Sequence, residues 1–253
     1  MKNLLRACAL LAFSAGARLC AVPPLVSGDV PTADKGTFEL YLGMGYQSER
    51  DSISRELPTL ELNYGLTDRQ EITLEIPYLS QQGEHGFGDL AIETKYMFLK
   101  ETKTLPGIAG SLELKLPTGS AARGLGSGAV DYEFLLRAQK TWGWFTAIGN
   151  VGCTILGKPE GRNAVWFASF AQEYKVSDKT KLLSEIYLET ADEQCQPNRC
   201  AANVGFETEI AHNLTFLAAA GRSLREGARG GPDLRVYVGL HWTFDARWKR
   251  AAK

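Results

Sequence analysis

Acidic side chains recur at every second position of several otherwise apolar segments, and fewer basic side chains follow the same spacing. Residues two apart in an extended strand lie on one face, so these charges would share a polar surface. Carboxylates outnumber cations in this set, by eleven to six if His241 is counted. Such a surface could favour cations and neutral solutes, or its charges could pair into a ladder that fills an interior. The residues predicted to line it are Glu61, Glu71, Glu75, Glu93, Lys95, Glu113, Lys115, Asp131, Glu133, Arg137, Glu173, Lys181, Glu185, Glu207, Glu209, Arg235 and His241.

Histidine is the side chain most often used in acid–base catalysis, and the chain has three, His85, His212 and His241. His85 falls in a predicted loop, His212 in a predicted turn, and His241 on the polar face of the last predicted strand. No serine beside His85 stands in a nucleophile motif. We therefore predict no catalytic residue, no metal site and no cofactor, and keep a lipid-modifying enzyme as an alternative.

Two of the five cysteines are close together in a predicted long loop. Cys195 and Cys200 bracket the segment 196–199, which predicts a disulfide between them in an oxidising compartment. A metal site is the alternative, but no further Cys or His lies nearby in the sequence. Cys153 falls within a predicted strand, where we expect it to be buried or lipid-facing.

The elements that position these charges are predicted to be strands with one apolar face. Between Leu234 and Phe244 every even position is apolar, while the odd positions include Arg235 and His241. The stretch from Glu71 to Tyr78 repeats this alternation, and Asp89 to Phe98 repeats it with one lapse. A period of two indicates β-strands.

The links between these strands are alternately short and long. The short links are Thr67-Asp68-Arg69, Lys100 to Pro106, Lys140 to Gly143, Ser177-Asp178-Lys179 and Ala211-His212-Asn213. The long ones are Gln47 to Arg55, Ser80 to Gly88, Pro117 to Gly128, Gly157 to Asn163, Thr190 to Ala201 and Arg222 to Pro232. Outer-membrane barrels join their strands in this way, with short periplasmic turns and long external loops. The sequence therefore predicts an all-β fold, a closed antiparallel up-and-down transmembrane β-barrel of about twelve strands over residues 22–244.

The two ends of the chain are predicted to lie outside this barrel. Lys2 and Arg6 precede an apolar run and then small residues, which predicts a signal peptide over 1–21 with cleavage after Ala17 or Ala21. The residues after Phe244, 245–253, are predicted to form a basic periplasmic tail. The net charge of -1 argues against nucleic acid as a partner.

Several motifs in the first half of the chain resemble a known family of outer-membrane proteins assigned to the meta-pathway of phenol degradation. They are Glu61-Leu62-Asn63-Tyr64-Gly65-Leu66-Thr67-Asp68 with Glu71-Ile72, Gly86-Phe87-Gly88-Asp89-Leu90, Leu112-Glu113-Leu114-Lys115-Leu116-Pro117-Thr118-Gly119, and Gly126-Ser127-Gly128 to Asp131. The resemblance implies a transporter whose cargo is aromatic or another apolar small molecule.

From the residues and the resemblance together we expect a channel or transport role in the bacterial outer membrane. Its expected partners are outer-membrane lipid, a small-molecule solute and the outer-membrane assembly machinery. A structural or surface-interaction barrel with a closed lumen is the principal alternative. If a pore is open, the excess of carboxylates predicts that it favours cations and neutral solutes over anions.

Overall fold

Thirteen antiparallel strands form one sheet that closes on itself. The computed structural model describes residues 23–49, 52–158, 161–191, 198–225 and 231–245. Each strand pairs with its neighbours in the chain, and β1 pairs with β13 to close the ring. The strands are β1 (Thr37–Glu49), β2 (Ser52–Thr67), β3 (Gln70–Gln81), β4 (Glu84–Phe87), β5 (Leu90–Leu99), β6 (Gly107–Leu116), β7 (Asp131–Trp142), β8 (Phe145–Lys158), β9 (Gly161–Lys175), β10 (Thr180–Glu189), β11 (Arg199–Ala211), β12 (Leu214–Ser223) and β13 (Leu234–Asp245).

Two of these strands, β4 and β5, are halves of one barrel strand. Both pair with β3. Strand β4 pairs with residues 78–81 of β3, and β5 pairs with residues 70–75 of β3. Only Gly88 and Asp89 interrupt the pairing between the two halves. The wall is therefore a closed antiparallel barrel of twelve strands, as the sequence predicted.

The apolar face of each strand points outward. Leu42 and Met44 in β1 are 45% and 59% exposed, whereas the alternate residues Tyr41 and Gly43 are buried. Closure satisfies the backbone hydrogen bonds within the wall, which a lipid environment demands. Clustered aromatic side chains surround the rim at which the chain enters β1, including Phe38, Tyr64, Trp142, Trp144, Tyr174, Trp242 and Phe244. Aromatic girdles of this kind occupy the interfaces of outer-membrane barrels.

Three of the predicted long links are strand hairpins instead of loops. Ser48 pairs with Ile53, Ser54 pairs with Gln81, and Lys158 pairs with Gly161, so the wall extends into each of these segments. These extensions are rich in polar residues, although Ile53 and Phe87 are exposed apolar side chains, so the alternation is weak there. Outside the strands lie residues 117–130 and the described parts of two further long links, 190–191 with 198 and 224–225 with 231–233.

The described residues before β1 do not belong to the wall. Residues 23–36, which we call the strap, contain no strand, although the sequence analysis assigned 22–244 to the barrel. At the other end, Asp245 pairs with Thr37 and is the last residue of β13, not the first of a tail. The predicted signal peptide 1–21 and the rest of the predicted tail, 246–253, lie outside the described residues.

No helix within the described part of the chain is long and apolar enough to cross a membrane. A single 3₁₀ turn, Ala121–Arg123, lies in the link between β6 and β7.

Candidate functional site: a lumen crossed by the strap

The strand register places the predicted polar residues on the inner face of the wall. Directly opposite residues in neighbouring strands share a face, and Glu61 lies opposite Tyr41, which in turn lies opposite His241. The same relation connects His241 to Thr215 and Thr215 to Glu209. Alternation along each strand then places the remaining ones inside, namely Glu71, Glu75, Glu93, Lys95, Glu113, Lys115, Asp131, Glu133, Arg137, Glu173, Lys181, Glu185, Glu207 and Arg235.

Many of these charges pair with charges on neighbouring strands or on the next strand but one. Lys115 Nζ lies 2.7 Å from Asp131 Oδ2, and Arg137 Nη2 lies 3.2 Å from Glu93 Oε1. Lys181 Nζ lies between two carboxylates, 3.3 Å from Glu173 and 3.6 Å from Glu207. Buried charges need such partners, because an unpaired charge in a narrow interior is costly. The ladder that the sequence analysis considered is therefore part of the structure.

One side of the lumen carries carboxylates directly opposite one another. Glu113 of β6 lies opposite Glu93 of β5 on one side and opposite Glu133 of β7 on the other. Glu61 of β2 lies opposite Glu75 of β3 in the same way. Like charges at opposite positions repel each other. This part of the wall is consequently electronegative even though Lys95, Lys115 and Arg137 are nearby.

The strap crosses the lumen from β10 to β3 before the chain enters β1. The Glu185 carboxylate accepts hydrogen bonds from Val26 N (2.7 Å), Ser27 N (2.8 Å) and Ser27 Oγ (2.6 Å). Asn203 Nδ2 is its fourth donor. A carboxylate has about four acceptor positions, so Glu185 is fully satisfied only while the strap is in place.

Further along, the strap is bound by side chains of successive wall strands. Asn150 accepts a hydrogen bond from Gly28 N at 2.8 Å and returns one to Gly28 O at 3.0 Å. Asp29 lies 3.4 Å from Lys95 Nζ, and Ala33 N donates to Glu71, which also pairs with Lys95 at 3.1 Å. Wall side chains therefore hold the strap in the lumen between Val26 and Ala33. At the end of the strap, Lys35 forms a β-bridge with Gly65, whose carbonyl oxygen accepts a hydrogen bond from Gly36 N at 2.8 Å.

Apolar strap residues fill three clusters on the wall. Leu25 packs with Ile148, Ala171 and Leu183, and Val30 packs with Met97 and Ala109. In the third cluster, Val26 packs with Leu135, Phe167, Tyr187 and Ala201. The middle of the lumen on the side of β5 to β11 is thus covered by the strap.

The opposite side of the lumen is filled by aromatic wall residues. Tyr41, Leu217 and Tyr237 form a further buried cluster on β1, β12 and β13. The ring of Tyr41 stacks on His241, with centroids 4.1 Å apart and planes inclined by 1°. Tyr237 lies over Gly43, where an added Cβ would be 2.2 Å from its hydroxyl oxygen, so Gly43 must lack a side chain. Buried residues of the strap and of the wall therefore occupy opposite sides of the middle of the barrel.

A loop between β6 and β7 packs onto the break between β4 and β5. The Asp89 carboxylate accepts hydrogen bonds from Gly119 N at 2.9 Å and Ser127 N at 2.7 Å. Leu125 of this loop is buried, and Arg123 pairs with Glu84 at 2.6 Å. Gly126 comes so close to Asp89 that a Cβ would be 2.4 Å from Oδ1. The loop is therefore an ordered part of the barrel rim.

The three histidines are far apart in the fold. His85 lies in β4, and His212 lies in the turn between β11 and β12. His241 Nε2 is 3.7 Å from Glu39 Oε2 and 3.4 Å from Thr243 Oγ1. Both oxygens approach the same ring nitrogen, whereas a catalytic triad places the acid and the nucleophile on different nitrogens. The geometry does not make His241 a relay between these two groups.

Two cysteines lie on the outer wall, and one predicted partner lies outside the described residues. Cys153 of β8 lines an apolar groove of about 530 Å³ with Tyr96, Phe134 and Trp166. Cys200 is at the start of β11, but Cys195 is not among the described residues, so its disulfide stays a prediction. Within the described residues, no group of three or more His, Cys, Asp or Glu side chains is arranged to hold a metal ion.

The sequence analysis missed the strap and several inner-wall residues. Glu39 follows the alternation of β1 and could have been found, whereas Asn150 and Asn203 are uncharged and escaped a search for charges. Glu56 lies just before a bulge between Glu56 and Thr59, which breaks the alternation. The strap residues carry no periodic pattern, so no sequence signal could have placed them in the lumen.

Known proteins share this fold and this sequence pattern. A family model described as "Putative MetA-pathway of phenol degradation" matches residues 30–235. The fold is similar to that of an outer membrane channel from Pseudomonas putida F1, with a TM-score of 0.69 and 15% identity over 86% of this chain and 98% of that chain. It is also similar to the KdgM porin, with a TM-score of 0.57 and 12% identity over 81% of this chain and 99% of that one. No curated protein sequence matches the chain. With its closed wall and apolar outer face, the chain is a protein of the bacterial outer membrane.

Proposed function

The chain belongs to the family described as "Putative MetA-pathway of phenol degradation", and we infer that it is an outer-membrane channel for small molecules. The observation that carries this proposal is the strap, because from Val26 to Ala33 wall side chains hold it in the lumen and it can leave without breaking the strand pairing of the wall. The similarity of the fold to an outer membrane channel and to a porin supports it.

Aromatic or other apolar molecules are the solutes that we propose. The family description points to phenol degradation, and the mid-lumen clusters beneath the strap are apolar, around Phe167, Leu183 and Met97. A hydrophilic porin would be expected to expose polar residues there. Many of the inner charges pair with each other, and carboxylates of β2 to β7 also lie directly opposite one another.

A structural barrel with a closed lumen is a second candidate, and a specific observation favours it. Buried residues occupy the middle of the barrel on two sides, Tyr41 and Tyr237 on one and Val26 of the strap on the other. A lipid-modifying enzyme is a weaker candidate, because His241 faces the lumen and does not connect an acid to a nucleophile.

Two measurements separate these candidates. Single-channel recording in planar bilayers should show small or rare openings for the wild type and frequent openings for Glu185→Gln, which weakens the strap contact. Cells without general porins should take up radiolabelled phenol faster when they express the barrel. A structural barrel would show neither conductance nor uptake in either form, and acyl release from phospholipid would instead support an enzyme.

A further inference from the structure

The wall beneath the start of the strap has the composition of a small-molecule site. Two rings, Phe167 and Tyr187, lie 6.3 Å apart at an angle of 35°, and Val26 of the strap packs beside them. The Glu185 carboxylate lies next to this cluster, because it binds Val26 N and Ser27 N. An apolar enclosure with one convergent polar group is the usual form of a ligand pocket. We call it the strap pocket, lined by Leu135, Phe167, Glu185, Tyr187 and Ala201.

The strap cannot leave this pocket empty without a considerable cost. Exposing these apolar side chains to water is unfavourable. Glu185 would also lose three of its four donors and keep only Asn203, although its side chain is buried in the wall. A buried acceptor that loses its partners is destabilised. Water and inorganic ions make no favourable contacts with the rings or the apolar wall. They therefore do not compensate for the free energy that is lost when the strap is released.

We propose that the strap pocket binds the transported solute, an aromatic molecule carrying a hydroxyl or amine donor, and that this solute enters by displacing the strap. The solute's ring takes the place of Val26 against Phe167 and Tyr187. Its donor takes the place of the Ser27 hydroxyl, which lies 2.6 Å from Glu185 Oε2. The site deepens the proposed channel function and rests on it. It also explains how a barrel can stay closed to ions while it admits an apolar solute.

The first test measures strap displacement without measuring transport. In a chain whose other cysteines are replaced by serine, Ser27→Cys introduces a thiol at a position that is 6% exposed. Its rate of reaction with a charged maleimide is measured in proteoliposomes with phenol, with anisole and without either. Phenol has the ring and a donor, whereas anisole has the ring alone. We expect phenol to accelerate the reaction several-fold and anisole to accelerate it less.

A matched thiol elsewhere in the lumen shows whether the effect is local. Thr215→Cys lies on the inner face of β12, opposite His241, away from the strap pocket. Its reaction rate should be the same with and without phenol. Equal acceleration at both positions would mean that phenol loosens the whole barrel, and it would overturn the proposed site. If neither phenol nor anisole accelerated the reaction of Ser27→Cys with the maleimide, that result would overturn the proposed site as well.

The second test locks the strap to the wall. The hydroxyl oxygens of Ser27 and Ser169 lie 2.8 Å apart, so the variant Ser27→Cys/Ser169→Cys brings two thiols within reach of a disulfide. The control lock is Thr180→Cys/Thr208→Cys, whose hydroxyl oxygens are 2.9 Å apart and join β10 to β11 without touching the strap. Uptake of radiolabelled phenol is measured in cells without general porins, before and after reduction.

The outcomes distinguish this site from the channel function itself. We expect uptake to be lost in the oxidised strap lock, to return on reduction, and to be unaffected by the control lock. Uptake that persists through the oxidised strap lock would overturn the strap-pocket proposal and leave the channel function intact. Uptake no faster than in cells without the barrel, for wild type and reduced lock alike, would overturn the proposed function and this site with it.

Discussion

Ser27 donates two hydrogen bonds to the same carboxylate oxygen of Glu185, from its backbone nitrogen at 2.8 Å and from its hydroxyl at 2.6 Å, although the two residues are 158 positions apart in the chain. Hydrogen bonds to a charged acceptor are stronger than neutral ones, and several on one carboxylate fix the position of the donor segment. This contact therefore holds the strap against the β10 side of the lumen.

Neutralising this carboxylate should open the lumen. Glu185→Gln keeps the shape of the side chain but replaces one acceptor oxygen with a donor, which faces the strap N–H groups unfavourably. A hydrogen bond to a charged group contributes about 1.5–3 kcal/mol. We therefore expect the fraction of time for which the channel conducts to rise by roughly 10- to 100-fold. Single-channel recording measures it.

A carboxylate four residues further along β10 serves as the control for that variant. Glu189→Gln changes a carboxylate on the same face of β10 that binds Arg199 at 3.1 Å and not the strap. Its conductance should resemble that of the wild type. If both variants opened the channel equally, general weakening of the wall would explain the effect better than release of the strap.

Gly28 of the strap lies so close to Arg137 that this position should tolerate no side chain. A Cβ at Gly28 would lie 2.5 Å from Arg137 Nε, and Arg137 is 1% exposed and paired with Glu93. Gly28→Ala should therefore push the strap from its seat at a cost of about 1–3 kcal/mol, in line with overpacked interiors. Increased conductance with unchanged barrel unfolding in urea would show that only the strap has moved.

An alanine in open space provides the comparison for Gly28→Ala. No atom lies within 4 Å of a Cβ added at Gly149, on the outer face of β8. Gly149→Ala should leave conductance unchanged. Wild-type conductance in Gly28→Ala would mean that Arg137 moves aside and that the strap is less tightly seated than its contacts indicate.

The sequence predicted the wall well and the closed lumen poorly, for a physical reason. A barrel strand repeats one rule, apolar toward lipid and polar toward the interior, so Leu234 to Phe244 reveals its structure without reference to any other segment. The strap obeys no such rule. Gly28 is placed by Asn150 and Ser27 by Glu185, and contacts between residues so distant in the chain leave no local pattern.

Once the strap is released, the pore should prefer cations. The wall from β5 to β7 presents Glu93, Glu113 and Glu133 side by side, and a narrow passage with one sign of charge concentrates counter-ions. We expect the Glu185→Gln channel under a KCl gradient to show a reversal potential on the cation-selective side. Adding Glu113→Gln should reduce this preference, and an anion-selective reversal potential in the first variant would contradict the prediction.

A carboxylate in the turn between β5 and β6 should give the barrel a pH-dependent increment of stability. Partial burial raises the pKa of Glu101, but a 2.8 Å hydrogen bond from Thr141 N and the Lys140 ammonium at 2.9 Å outweigh it and hold the pKa below its ordinary value of 4.5. A lowered pKa in the folded state means stability that is present above the ordinary value and lost as the pH falls through the lowered one.

Glu101→Gln should remove this increment. We expect a loss of about 0.5–1 kcal/mol at pH 7, since the pair is close to solvent, and no difference from the wild type once the pH is well below 4.5. Urea unfolding of the barrel in lipid vesicles at a series of pH values measures both. Asp68→Asn, an exposed carboxylate in the turn between β2 and β3, should show no loss at pH 7. A deficit for Glu101→Gln that persisted undiminished at pH 3 would assign the effect to packing and not to the charge of Glu101.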